Sequence, residues 1–136
     1  MRDTTTGLPL APQEMEDARA YHRQREARRA AEREAERLAW LARVYTAVAE
    51  VAPQHGGVRR VYLYGSLVQE GRFRADSDID LAVVCTDLKT ESAFGRDLER
   101  RLRREVDMRP LAEPIAPAVQ RYGVIVYERE SDPPDR

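Results

Sequence analysis

The stretch Asp78-Ile79-Asp80-Leu81-Ala82-Val83-Val84-Cys85 sets two carboxylates at the head of an aliphatic run. A run this rich in Val, Ile and Leu predicts a strand. Side chains alternate between the faces of a strand, so Asp78 and Asp80 share one face, with Ala82 and Val84 beyond them. Ile79, Leu81, Val83 and Cys85 line the other. Past the acids both faces are apolar, as expected of an interior strand covered on both sides. Two like charges held side by side repel and shift each other's titration, and a cation between them removes that penalty. Magnesium suits such a pair, because it takes one or two protein carboxylates and completes its shell with water and substrate phosphates. The plainer explanation is a pair of solvated acids where a loop enters a strand, since Asp is common in turns.

Upstream, Tyr62-Leu63-Tyr64-Gly65-Ser66-Leu67-Val68-Gln69 runs from a predicted strand at 58–64 into a short helix that Gly71 ends. Gly65 permits a tight turn and a close approach of backbone to ligand. Ser66 is placed to cap the helix, and Gln69 stands where a capping-box partner belongs. The free amides of such a first turn form a natural phosphate site. A capped helix would need no ligand, but this one leads into a strand headed by carboxylates. Phosphate donors and metal ligands are then expected at the ends of neighbouring strands.

Working outward, residues 13–52 contain no Gly or Pro and are dominated by Ala, Glu and Arg, which predicts one long helix. Glu16–Arg19, Glu26–Arg29 and Glu34–Arg37 are neighbouring opposite charges on it. Only its second half carries an apolar stripe: Leu38, Leu41, Val44, Tyr45, Val48 and Val51. That half is expected on the core, with Trp40 packing beside it, and the first half is expected to be solvated or to meet a partner. Downstream of the carboxylate strand, residues 91–104 predict an amphipathic helix with Phe94, Leu98 and Leu102 on one face. A short strand at 106–109, stopped by Pro110, follows, then one or two helical turns at 115–122 and a last strand at 123–128. Residues 1–12 and 130–136 are expected to be a disordered leader and tail. The division is therefore leader 1–12, helix 13–52, globular domain 53–129 and tail 130–136.

Composition narrows the function classes. The 23 basic and 24 acidic residues nearly cancel, which gives no electrostatic reason to expect a nucleic-acid partner. Cys85 is the sole cysteine, so no intramolecular disulfide is possible, and on its apolar strand it reads as a small core residue. The longest aliphatic run, residues 81–85, is far short of a membrane span, and no signal-like segment opens the chain. A soluble cytoplasmic protein is the expectation. His22 and His55, in a polar helix and a glycine-rich loop, do not resemble metal ligands. Arg100, Arg101, Arg103 and Arg104 lie mostly opposite the apolar face of their helix and read as solvated.

Gly65-Ser66 followed by Asp76-Ser77-Asp78-Ile79-Asp80-Leu81 resembles the signature of the DNA polymerase beta nucleotidyltransferase superfamily. The likeness is greatest to its minimal members, the MNT domains that serve as antitoxins to HEPN toxins, and covers about residues 59–127. It implies an α/β (α+β) fold, a small mixed sheet flanked by helices, here with a long N-terminal helix added. It further implies that Gly65 and Ser66 hold nucleotide phosphates and that Asp78 and Asp80 bind magnesium. A third carboxylate from a later strand completes the family's metal site, usually in a valine–aspartate context, which Val106-Asp107 fits. Alternation sets Asp107 and Arg109 on one face of that strand. The chain departs from the pattern in two places. Residues 67–77 form a spacer one residue longer than usual, and Val68 and Gln69 stand where many members have a small residue and an arginine.

What the resemblance implies chemically is transfer of a nucleoside monophosphate, AMP above all, from ATP or another NTP to an acceptor hydroxyl, with two magnesium ions held by Asp78, Asp80 and Asp107. With no acceptor-binding segment evident after the last strand, the acceptor is expected on a protein partner, a HEPN-like toxin by family analogy. The long helix is a candidate for docking that partner or for self-association. A non-catalytic partner-binding module of the same fold and a small-molecule nucleotidyltransferase are the alternatives.

Overall fold

The structure, a computed structural model, describes residues 9–130. Residues 1–8 of the expected leader and 131–136 of the expected tail lie outside the described residues. Two compact units divide the chain, one ending at Glu32 and one beginning at Arg33.

The first unit is helical from Pro12, whose fixed φ suits the first turn of a helix. Its side chains are largely exposed, Leu10, Met15 and Tyr21 among them. Glu14 accepts from the Ala11 amide at 2.9 Å, and Glu16 faces Arg19 and Arg23 at 3.8 and 3.4 Å. The pairing expected of Glu26 with Arg29 is not formed among the described residues.

The second unit carries the rest of helix α1 (Pro12–Val51) and the α+β core. Strand β1 (Val58–Tyr64), strand β2 (Ile79–Cys85), helix α2 (Leu88–Leu102), strand β3 (Val106–Pro110), helix α3 (Ala116–Tyr122) and strand β4 (Val124–Glu128) follow in order. The sheet is mixed, with order β3-β2-β1-β4. β1 runs antiparallel to both β2 and β4, while β2 and β3 are parallel and joined through α2, the crossover that parallel neighbours require. Pro110, which has no amide to donate, is tolerated as the last residue of an edge strand.

Alternation fixes which face is buried. Val61, Leu63, Ile79, Leu81 and Val83 are completely or almost completely buried, and pack with Phe94, Leu98 and Leu102 of α2 and Val44, Val48 and Val51 of α1. β2 is the interior strand anticipated from its two-sided apolar pattern. Ala82, on its other face, is buried as well.

Some local expectations are corrected. Leu38 and Tyr45 are 49% and 39% exposed, because each lies about 100° or more around the helix from Val44, at the margin of the buried arc that Ala47 completes. α2 starts at Leu88 rather than 91, since Asp87 caps it by accepting from the Thr90 amide at 2.8 Å. It stops at Leu102, where Arg103 adopts the left-handed conformation with φ 54°. The helix expected after Gly65 is a single 3-10 turn, Gly65–Val68. No capping box forms: Gln69 is extended, and its side-chain amide donates to the Gly65 carbonyl at 3.0 Å instead of returning to the cap.

No helix of the described residues is long and apolar enough to cross a membrane. Truncating the fully buried Leu98 to Ala should cost about 2–5 kcal/mol. The same change at the exposed Leu38 should stay within about 0.5 kcal/mol. Urea unfolding of the two variants checks this, and comparable losses would contradict the buried arc described for α1.

Candidate active site

Sheet register builds the site. Tyr64 pairs with Asp80 across β1 and β2, and Asp80 pairs with Asp107 across β2 and β3. Directly opposed residues share a face, so Tyr64, Asp80 and Asp107 form one row on the side of the sheet away from the principal core. Tyr62, Ala82 and Arg109 form the next row. Asp78 precedes β2 and is exposed, whereas Asp80 and Asp107 are half-buried.

The row is electrostatically uncomfortable. Burial, then the charge of Asp107, then that of Asp78 push the Asp80 carboxyl up to about 6, and Arg109 only partly offsets them. The same burial and the charges of Asp80 and Asp107 raise the Tyr64 phenol. Arg109 grips Asp107 with its Nε 3.2 Å from each carboxylate oxygen and its Nη2 3.2 Å from Oδ2. That contact confirms the shared face read from alternation.

Gly65 closes the row from the β1 side. Its φ is +81°, and a Cβ there would lie 3.0 Å from the Asp80 Cγ and closer still to its carboxylate oxygen. Only glycine satisfies both constraints. Arg37 of α1 steadies the turn that follows: Nη1 donates to the Leu67 carbonyl at 2.8 Å, while Nε and Nη2 hold Glu34 at 3.0 and 2.7 Å. Ser66 lies in this turn, half-buried, and its carbonyl accepts from the Gln69 amide at 3.1 Å.

Between the turn and β2 the longer spacer is folded on itself. Gly71 takes φ +80°, Ser77 Oγ accepts from the Arg74 amide at 2.9 Å, and the Ser77 amide returns to the Arg74 carbonyl at 3.0 Å. Arg104 reaches this loop with three hydrogen bonds, to Ser77, Arg74 and Ala75 carbonyls at 2.9, 2.8 and 3.0 Å. Its guanidinium also lies over the Trp40 and Phe73 rings. Arg104 is therefore not the solvated residue its run suggested.

Of the residues singled out in the sequence, Gly65, Asp80 and Asp107 are brought together, Ser66 follows in the adjoining turn, and Asp78 stands at the mouth of β2. Tyr64, Arg109 and Arg104 are additional. The signal for Arg109 was its two-residue spacing from Asp107, whereas nothing local marks Arg104. His55 is elsewhere, 2.6 Å from Asp97 and beside Phe94.

Among the described residues no three His, Cys, Asp or Glu side chains are already gathered as a metal-holding cluster. The donor set nevertheless fits a hard divalent cation: carboxylate oxygens whose mutual repulsion Arg109 relieves only in part.

A family model described as polymerase beta, nucleotidyltransferase matches residues 47–132. The chain belongs to that family. The matched span contains Gly65, Ser66, Asp78, Asp80 and Asp107 and excludes the first unit. One chain of a toxin–antitoxin structure with AMP-PNP superposes with a TM-score of 0.54 at 22% identity, over 63% of this chain and 74% of that one. A chain from a mutant of the toxin–antitoxin pair MntA–HpeT gives 0.52 at 19% identity, over 63% and 74%. At these identities the likeness is one of fold. No curated protein matches the chain.

The raised Asp80 carboxyl carries a sign. Between its ordinary range and about 6 the folded chain binds more protons than the unfolded one, so without divalent cation stability falls as pH rises through that window. Asp80→Asn should then stabilise the cation-free protein at pH 7, by roughly 1 kcal/mol once solvent screening of a partly exposed group is allowed for. Urea unfolding in EDTA at pH 4.5 and pH 7 measures this. A wild type that gains stability across the interval relative to Asp80→Asn would contradict it.

Proposed function

We propose that this chain is a magnesium-dependent nucleotidyltransferase that moves a nucleoside monophosphate, AMP from ATP in the first instance, to a hydroxyl on a protein partner, as an MNT-type antitoxin acting on a HEPN-like toxin. The observation that carries the reading is the row Asp80–Asp107, with Asp78 ahead of it and the Gly65 turn against it, in a chain of this family. The neighbour of similar fold that is a toxin–antitoxin with AMP-PNP supports both the adenine nucleotide and the protein partner.

In this reading Asp78, Asp80 and Asp107 are the metal ligands, and the backbone of Gly65 and Ser66 receives the triphosphate. Asp78, Asp80 and Asp107 would hold magnesium, two ions in the full arrangement, which would supply neutralisation of triphosphate charge and a more acidic acceptor hydroxyl. The acceptor oxygen forms a bond to the α-phosphorus, the bond from that phosphorus to its bridging oxygen breaks, and pyrophosphate leaves. Asp107 takes the hydroxyl proton. Arg109, exposed and beside Asp107, exchanges its carboxylate for phosphate oxygens when nucleotide enters. The domain at 53–129 carries the chemistry, and the exposed first half of the helix at 13–52 serves to dock the partner.

A second reading, a partner-binding module without catalysis, is favoured by one contact, the two-oxygen grip of Arg109 on Asp107. Label transfer separates the two. With α-phosphate-labelled ATP, magnesium and native-host lysate, wild type should label a macromolecule that the Asp78→Asn/Asp80→Asn double variant leaves unlabelled. No difference between them with any of the four NTPs would shift the assignment to the binding module.

A further inference from the structure

We propose that Arg104 is a positioning residue for the metal-binding acids, fixing Asp78 beside Asp80 by tying the loop before β2 to the end of α2. The inference rests on the site reading above and adds a residue to it.

Asp78 is one residue between two anchors. On its N-terminal side the Ser77 carbonyl accepts from Arg104 Nε at 2.9 Å. On its C-terminal side the Ile79 amide donates to the Glu105 carbonyl at 3.1 Å. Two consecutive residues, 104 and 105, therefore hold the backbone on either side of Asp78. Arg104 Nη2 adds the Arg74 and Ala75 carbonyls at 2.8 and 3.0 Å, so one guanidinium gathers three carbonyls of a four-residue stretch. The left-handed Arg103 turns the chain out of α2 immediately before this contact.

The guanidinium is itself located by packing. Its carbon lies 4.6 Å from the Trp40 ring centroid and 4.5 Å from that of Phe73. The Trp40 ring also receives Arg43 at 3.9 Å, and Arg43 donates to the Leu102 carbonyl at 3.2 Å. The loop that carries Asp78 is thus joined to α1 and to the end of α2 through stacked, directional contacts. A planar fork with donors at fixed angles meets these demands, and a lysine ammonium does not. Burial lowers the affinity of Arg104 for its proton, while Glu36, Asp78 and Asp76 favour the charged form.

Arg74 and Ala75 of the spacer turn their carbonyls to Arg104, and β2 pairs with β3 from Ile79 onward. A residue that sets where a metal ligand stands acts on metal affinity without touching the metal, typically by about 10- to 100-fold.

The test measures Mn2+ binding by electron paramagnetic resonance, with a non-hydrolysable ATP analogue, for wild type, Arg104→Lys and Phe73→Leu. Amide hydrogen exchange is followed on the same samples. Arg104→Lys should bind Mn2+ about tenfold more weakly, with faster exchange at Ser77 and Ile79 and unchanged exchange in β1. Phe73→Leu, which keeps the hydrogen-bonding group and removes one ring beneath it, should fall between the two; it carries the test if the lysine variant does not fold. Mn2+ affinity equal to wild type in a variant whose loop exchange has risen would make Arg104 merely structural and overturn the proposal. Wild type that takes up no Mn2+ with the analogue would overturn the site reading itself, and this inference with it.

Discussion

A half-buried carboxylate pressed between a glycine backbone and a second carboxylate is the constraint around which this structure is arranged. Asp80 has Gly65 on its β1 side and Asp107 on its β3 side, with Asp78 just ahead of it. Each neighbour is fixed by something the core dictates. Burying Ile79, Leu81 and Val83 sends Asp80 to the opposite face, and the parallel register of β2 with β3 then leaves Asp107 no other place. A one-residue slip of either strand would bury the acids and expose the aliphatics, so the packing energy of the core holds the charges together against their repulsion. A cation bound beside these carboxylates would relieve that repulsion.

The surrounding contacts limit how far the acids can relax. Gly65 cannot carry a side chain without striking Asp80. Arg37 and Arg104 reach from α1 and from the end of α2 to the two segments flanking the site, each by donating to backbone carbonyls. Arginine serves this purpose well, because several donors project from one rigid plane and its face stacks on aromatic rings. In a chain where all basic residues but Lys89 are arginine, charge runs read as solvated surface thus conceal structural contacts.

Much of this was legible in the sequence where local periodicity and function coincide. Val58–Tyr64 was read to the residue, and the acid-headed strand to within one, because β-branched runs bounded by glycines and polar loops have few other outcomes. The placement of Asp107 with Arg109 followed from alternation alone. The polymerase-beta-like mixed sheet came from the paired motif, which the family match bears out. What escaped was non-local or cooperative. Leu38 and Tyr45 satisfied a helical stripe yet fall outside the arc that neighbouring elements cover. Asp87 opened α2 earlier than its first apolar residue suggested. Ser66 and Gln69 had the spacing of a capping box, but the single 3-10 turn turns the Gln69 amide onto the Gly65 carbonyl instead. Arg104 was invisible for the same reason: its partners lie on a distant loop and on α1, and no window of sequence contains them.

The most direct measurement is the titration of the Asp80 side chain itself, followed by carboxyl carbon-13 NMR without and with magnesium and a non-hydrolysable ATP analogue. In cation-free buffer the carboxyl should titrate near 6, and magnesium with nucleotide should bring it below the ordinary aspartate range. An Asp80 that titrates as a solvated aspartate, and does so equally with and without magnesium and nucleotide, would contradict the view that this crowded row is a cation site.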